Sequence, residues 1–592
     1  MQDTLVAHWR PLSLAAMLLL GACAQQAPLT ETTAPSQSRP PAPLASKQAQ
    51  LYGAQVMAAP AAVGMASMDR RAIIMPPEYR PPVQNTEQYG QIQDNPVHVV
   101  AREPVSTFSI DVDTGSYANV RRFLNNGRLP PVDAVRVEEL INYFPYDYAR
   151  PADSRHPFGV STEVAQSPWK NGAELLRIAI QAADQSFGSL PPANLVFLVD
   201  VSGSMQSEDK LPLVKKTLRQ LLDQLRPQDR VTLITYASGE QLVLPPTPGN
   251  QRDTLLRAIN SLQAGGATAG EQAMQLAYRE AERAYIRGGI NRILLATDGD
   301  FNVGITDFAT LRGMVAEKRK SGISLTTLGY GQGNYNERLM EQLADAGDGN
   351  YSYIDTEREA KKVLRQQLTS TLATVASDVK LQVEFNPATV SQYRLIGYEN
   401  RMLRQEDFNN DQVDAGEIGA GHAVTALYEI IPAGRQGWLS DSRYQPAAPA
   451  ATAHGQEYAY VNIRYKPVGK SSSTLLSVPV RTGSQPLAQA SADMRHATAV
   501  ASYGQLLRGG KTTGNFGWKD TLALAKGAQG ADPFGLRAEF VELVEIASSL
   551  SSRTPSVTVE EPPPALRPVP LPRPVPVVPI PHPRLPVQPQ PY

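Results

Sequence analysis

The chain has 592 residues, with 56 Lys and Arg against 57 Asp and Glu, and a formal net charge of −1 offers no basic field for a nucleic-acid partner. A single cysteine excludes a disulfide framework, and seven scattered histidines without metal-ligand spacing argue against a zinc site. At roughly 150 residues per domain the length allows about four domains, held together by packed cores.

In chain order the first signal concerns targeting. Arg10 precedes the short apolar run 11–20, and Gly21-Ala22-Cys23 follows. A basic residue, a short apolar stretch and small residues before a cut describe a secretory signal peptide over residues 1–22. The run is too short to span a bilayer. Residues 23–95 are rich in Ala, Pro, Gln, Ser and Met without sustained periodicity, which predicts a disordered linker.

Residues 96–155 are predicted to form a small N-terminal module. In it a strand leads to Asp113-Thr-Gly-Ser116, and a helical pattern follows (Tyr117, Val120, Phe123, Leu124). Asp113-Thr-Gly-Ser116 resembles the aspartic-protease motif. That chemistry needs two carboxylates sharing a proton, and no second such motif exists. Residues 156–190 hold two strands, near 158–165 and 174–182.

The central domain is traced over residues 191–373. Strand Leu195–Val199 is followed by an amphipathic helix with Leu211, Val214, Leu218, Leu221, Leu222 and Leu225 on one face. Val231–Tyr236 is a strand, and Gln241–Leu244 is its edge hairpin partner. Helices follow at 252–262 and 270–287, then strand Arg292–Ala296, helix 307–320, strand Ile323–Leu328, helix 335–345, strand Asn350–Ile354 and a last helix over 356–373. Strands alternating with helices predict a mostly parallel sheet with helices on both faces.

Residues 374–485 carry short alternating segments such as 379–385, 425–431 and 458–465, an antiparallel β pattern expected to form a sandwich. The strands of 156–190 are expected to complete it, which inserts the central domain between two halves of the β module. Residues 486–552 turn to helical periodicity. Residues 553–592 carry Pro at nearly every second position and are expected to run as extended polyproline II, about 3.1 Å per residue. This tail serves as a spacer or as a ligand for a partner groove. Asp407-Phe-Asn-Asn-Asp411 suggests a calcium loop, but Gln412 stands where Gly is needed and Ile418 where Glu is needed, so a polar turn is expected. Ser207-Glu-Asp-Lys210 fits S-x-x-K without the motifs that accompany it in penicillin-binding enzymes.

The chemistry concentrates after the first central strand. Asp200, Ser202 and Ser204 sit at its carboxyl end, where open α/β sheets bind ligands. A carboxylate and two hydroxyls at alternating positions suit a hard cation with oxygen ligands. Thr268 and Asp298 recur downstream at the ends of similar elements.

These five positions, in the pattern D-x-S-x-S…T…D, resemble the metal-ion-dependent adhesion site of the von Willebrand factor type A (VWA) family. The resemblance implies the VWA fold, Mg²⁺ or Mn²⁺ as the ion, Ser202, Ser204 and Thr268 as direct hydroxyl ligands, and Asp200 and Asp298 acting mostly through water. It also implies an open position that takes an Asp or Glu carboxylate from a protein partner. In related domains a changed ligand set moves the helix after the last metal-contacting loop, here the helix 307–320 after the loop 298–304. Asp300 and Asn302 would bond ligand waters or else serve loop polarity and capping, and Phe301 would latch the loop.

Further blocks resemble a bacterial VWA lipoprotein family, the YfbK-like proteins: 108–124, 135–144, 296–304, 331–336, 406–411, 415–421 and 532–535, together reaching across residues 95–550. Leu20-Gly-Ala-Cys23 resembles the bacterial lipobox, which implies cleavage before Cys23 and lipidation of its thiol. Ala24 rather than Asp after it resembles outer-membrane sorting. The expected fold class is therefore α/β, a Rossmann-like VWA sheet plus an antiparallel β-sandwich and small helical regions. The expected function is a non-enzymatic lipoprotein of the cell envelope, anchored to the outer membrane and facing periplasm or surface, that binds a protein partner through its metal site as adhesin or assembly scaffold. The alternative is a metal-dependent envelope hydrolase, which would need a base or nucleophile that the sequence around Asp200 and Asp298 does not offer beyond the ligands.

Overall fold

A computed structural model describes residues 85–110, 112–152, 155–267, 270–299, 308–366, 368–440 and 454–553. The signal peptide, most of the expected linker and the Pro-rich tail lie outside them. Residues 85–95, expected as linker, are instead tied to the folded body by hydrogen bonds and an ion pair. Glu87 takes the guanidinium of Arg122 at 2.9 Å, and the N–H groups of Thr86 and Gln88 donate to the carbonyls of Gly333 and Tyr335. A buried arginine on the following helix needs a carboxylate, and linker-like composition conceals that demand.

The next elements are β1 (His98–Val99), β2 (Val105–Ser109), α1 (Gly115–Asn125), α2 (Val137–Asn142), β3 (Phe158–Gln166) and β4 (Glu174–Ala182). The central domain then runs β5 (Ala193–Asp200), α3 (Leu211–Leu222), β6 (Arg230–Tyr236), β7 (Glu240–Pro248), α4 (Arg252–Ser261), α5 (Gly270–Arg283), β8 (Ile290–Thr297), α6 (Phe308–Arg319), β9 (Ser324–Tyr330), α7 (Glu337–Ala346) and β10 (Tyr351–Ile354). Its six-stranded sheet has the order β10-β9-β8-β5-β6-β7, parallel except for the edge strand β7.

β5 is an almost continuous apolar run because both faces of the sheet are covered. Leu195, Phe197 and Val199 of β5 join Val214 and Leu218 of α3 in one core. Val196 and Leu198 join Met274 and Tyr278 of α5 and Leu311 of α6 in another. The helix expected over 356–373 is broken into α8 (Glu357–Lys361), a π turn at Lys362–Gln366, and α9 (Leu368–Leu372). The wider turn accommodates Lys362, whose ammonium lies 3.5 Å from both the Tyr143 ring centre and Glu359.

Beyond it come β11 (Thr374–Phe385), β12 (Val390–Ile396), β13 (Ile418–Gly419), β14 (Ala423–Pro432), β15 (Glu457–Pro467) and β16 (Thr474–Arg481). They form two antiparallel sheets. One has the order β1-β12-β14-β4-β3; in the other β13-β11-β15-β16 is joined by β2 along β11. The sheets meet face to face through Phe385 on Tyr393, with ring centres 4.2 Å apart, and Phe158 against Tyr465 at 4.8 Å. The other face of the β4–β14 sheet is covered by helices. Leu175, Ala179 and Leu427 pack with residues of α1, α2, α10 (Ala492–Leu507) and, following α11 (Trp518–Gly527), α12 (Leu536–Arg553). In the 405–411 loop, Lys380 Nζ donates to the carbonyls of Asp407 and Asn410, so an ammonium sits where a calcium loop would hold its ion.

Candidate metal centre

Within the central sheet β5 lies between β8 and β6, so the strand order reverses at β5, the position where α/β sheets bind ligands. β5 ends at Asp200 and β8 ends immediately before Asp298, and both carboxylates are fully buried. Asp200 is fixed by two bonds: Oδ1 accepts from the Ser202 N–H at 2.8 Å and Oδ2 from the Thr297 hydroxyl at 2.9 Å. The chain then turns through a short 3₁₀ segment, Gly203–Gln206, pinned by the buried Met205. This turn brings the Ser202 and Ser204 hydroxyls to 3.0 Å from each other, and the Ser204 hydroxyl donates to Asp298 Oδ2 at 2.7 Å. The loop before Thr268 docks on the same turn, Gly203 N–H donating to the Gly266 carbonyl at 2.9 Å and Gly265 N–H to Val201 at 2.7 Å.

A lysine completes the cluster. Lys210 Nζ donates to Asp298 Oδ2 at 2.9 Å and to Asn334 Oδ1 at 2.8 Å, and the Asn334 amide donates to Asp298 at 3.0 Å. Its aliphatic stem needs Gly331. A Cβ there would lie 2.3 Å from the Lys210 side chain, and the backbone φ of +75° is one that glycine adopts without strain. The two carboxylates are thereby set apart. Burial pushes Asp200 up to about 6, helped by the neighbouring Asp298 charge against its own hydrogen bonds. Burial would raise Asp298 too, but the Lys210 charge with the Ser204 and Asn334 bonds outweighs it and holds Asp298 below the usual range.

Four of the residues picked from the sequence (Asp200, Ser202, Ser204 and Asp298) are therefore one connected group. Thr268, Cys23, Asp300, Phe301 and Asn302 lie outside the described residues. Three neighbours escaped the sequence reading. Thr297 immediately precedes Asp298. In the sequence Lys210 stands out only as the end of S-x-x-K, and Asn334 only as part of the block 331–336. Among the described residues no three His, Cys, Asp or Glu side chains group for a metal ion, so an ion here would rest on hydroxyls. The donor set fits a hard divalent cation on those terms: the neutral hydroxyls of Ser202 and Ser204 stand together beside two buried carboxylates, with Ser204 exposed.

Residues 194–367 match the family model of the von Willebrand factor type A domain, residues 83–177 one described as von Willebrand factor, and residues 370–550 one described as uncharacterized protein YfbK, C-terminal. The uncharacterized protein YfbK of Escherichia coli (strain K12) is 48% identical over 474 residues, 79% of this chain and 82% of that protein. An uncharacterized protein of Synechocystis is 29% identical over 309 residues, 52% of this chain and 69% of its own. A solved structure, von Willebrand factor type A from Catenulispora acidiphila, covers 67% of this chain and 91% of its own at 16% identity, with a TM-score of 0.37.

Proposed function

The chain belongs to the YfbK family with its central VWA domain, and from that premise we propose that it is a non-enzymatic envelope lipoprotein that captures a protein partner through Mg²⁺ or Mn²⁺ at the Asp200–Asp298 cluster. The observation that carries this reading is the Ser202–Ser204–Asp298 chain of hydroxyl and carboxylate at the sheet's carboxyl edge. Ser202, Ser204 and Thr268 would hold the ion directly, with Asp200 and Asp298 behind. An ion held by neutral hydroxyls keeps much of its positive field and supplies a Lewis-acidic docking point for a carboxylate. Asp200 is suited to a support role because both its oxygens are engaged by Ser202 and Thr297. The partner is accordingly a protein offering Asp or Glu.

Titration calorimetry of the purified chain with Mg²⁺ tests this. Weak binding is expected in the wild type. Ser202→Ala combined with Ser204→Ala should abolish it at an unchanged unfolding midpoint, and an unaltered titration of the double variant overturns the assignment. Crosslinking in native envelopes with and without EDTA then identifies the partner. The reading also includes an outer-membrane lipid anchor at Cys23. Among the described residues no helix is long and apolar enough to cross a membrane. Cys23→Ser is expected to release the protein from the membrane fraction, and full retention removes the anchor from the proposal.

A further inference from the structure

A cavity of about 1060 Å³ lies where the starts of β8 and β9 face the beginning of β11, away from the strand ends that carry Asp200 and Asp298. Leu190, Ile290, Ile323, Leu372 and Val375 give it an apolar wall. Two arginines line it, and they differ in how they are satisfied. Arg319 donates to Asp348 at 2.7 Å and also to Asp414. Arg292 is only 3% exposed, yet it makes one bond, to the Thr326 hydroxyl at 2.6 Å, and its Nε has no hydrogen-bond partner.

Strand geometry explains how Arg292 comes to be there. It shares a face of β8 with Leu294 and Ala296, which fill the core, and it reaches the cavity at the strand's start. A buried guanidinium whose one hydrogen bond goes to a neutral hydroxyl is costly, and burial depresses its proton affinity to about 10 against the opposing charges of Glu417 and Asp348. Glu417, half-buried, also lines the cavity. Desolvation, with the charges of Asp348, Asp414, Asp378 and Asp345, pushes its carboxyl well above the usual range.

We propose that this cavity binds a small organic carboxylate with an apolar tail, its head taken by Arg292 beside Glu417 and its tail by the apolar wall. A guanidinium matches a carboxylate in geometry and charge, and the bond gains strength in a site shielded from water. The proposal is independent of the metal reading. Its structural competitor is an Arg292–Glu417 pair joined only through water.

Thermal unfolding of the purified full chain with three ten-carbon probes below their micelle concentrations separates these. Decanoate is expected to raise the midpoint by about 2 °C or more at saturation, decanol by less, and decylammonium not at all. Arg292→Met should lose the decanoate response and keep that of decanol, which shows that the folded cavity persists. Should Arg292→Met not fold, Arg292→Lys serves instead, with decanoate affinity lower by about tenfold because the planar fork is lost. No response to decanoate, equal responses to decanoate and decanol, or an undiminished decanoate response in the folded variant overturns the proposal.

Discussion

At the residue scale, Lys210 governs the electrostatics of the candidate metal centre. Its ammonium, 2.9 Å from Asp298, neutralises a carboxylate that has no access to water. At an effective dielectric of about 20, unit charges roughly 4 Å apart interact by about 4 kcal/mol, so this cation opposes a divalent ion at the neighbouring hydroxyls. Lys210→Met is therefore expected to tighten Mg²⁺ binding by about tenfold or more in calorimetry. Without metal the same variant leaves Asp298 buried beside Asp200 with no counter-charge from Lys210. Its unfolding midpoint in EDTA should fall and recover on adding Mg²⁺. Unchanged affinity together with an unchanged midpoint would make Lys210 a bystander.

At the scale of elements, alternation along the strands and the spacing of the helices account for the central domain, and close backbone approaches set its connections. The turn between α7 and β10 depends on Gly349, where a Cβ would stand 1.8 Å from the Leu325 carbonyl oxygen of β9. On either side of that contact, Leu325 N–H donates to Gly347 at 2.9 Å and Thr327 N–H to Asn350 at 3.0 Å. Gly349→Ala must part these bonds, and a loss of at least about 1–3 kcal/mol in denaturant unfolding is expected. The break of the last central helix at Lys362–Gln366 belongs to the same scale. Periodicity alone predicts one helix, whereas Tyr143 and Glu359 decide where the Lys362 ammonium must lie.

At the scale of the whole molecule, buried arginines in and just before the N-terminal helices join parts far apart in sequence. Arg121 of α1 meets Asp355 at 2.5 Å, Glu359 of α8 at 2.7 Å and Glu539 of α12 at 3.0 Å, and it also donates to the Tyr143 hydroxyl at 2.9 Å. Arg136 meets Glu337 and Glu341 of α7 at 2.7 and 2.9 Å. Such networks add little net stability over an apolar substitute for the whole group, but removing one partner strands the others. Arg121→Met leaves Asp355 and Glu359 buried, and unfolding by urea should show a loss of about 3–5 kcal/mol. A loss below about 1 kcal/mol would show that water or rearrangement replaces the arginine.

The sequence by itself determined the order of strands and helices, the coverage of the central sheet on both faces, the antiparallel pattern of the β segments, and Asp200, Ser202, Ser204 and Asp298 as one group. These were legible because they are local: periodicity reports which face is buried, and all four residues lie within five positions of a strand end. Tertiary structure alone decided that Lys210 and Asn334 complete the cluster, that residues 85–95 are bonded to the folded body, and that the last central helix is broken. Lys210 finds Asp298 across 88 positions and Arg121 finds Asp355 across 234. A charge in sequence looks the same whether it faces solvent or a buried counter-ion, and only the folded chain supplies the partner that distinguishes the two.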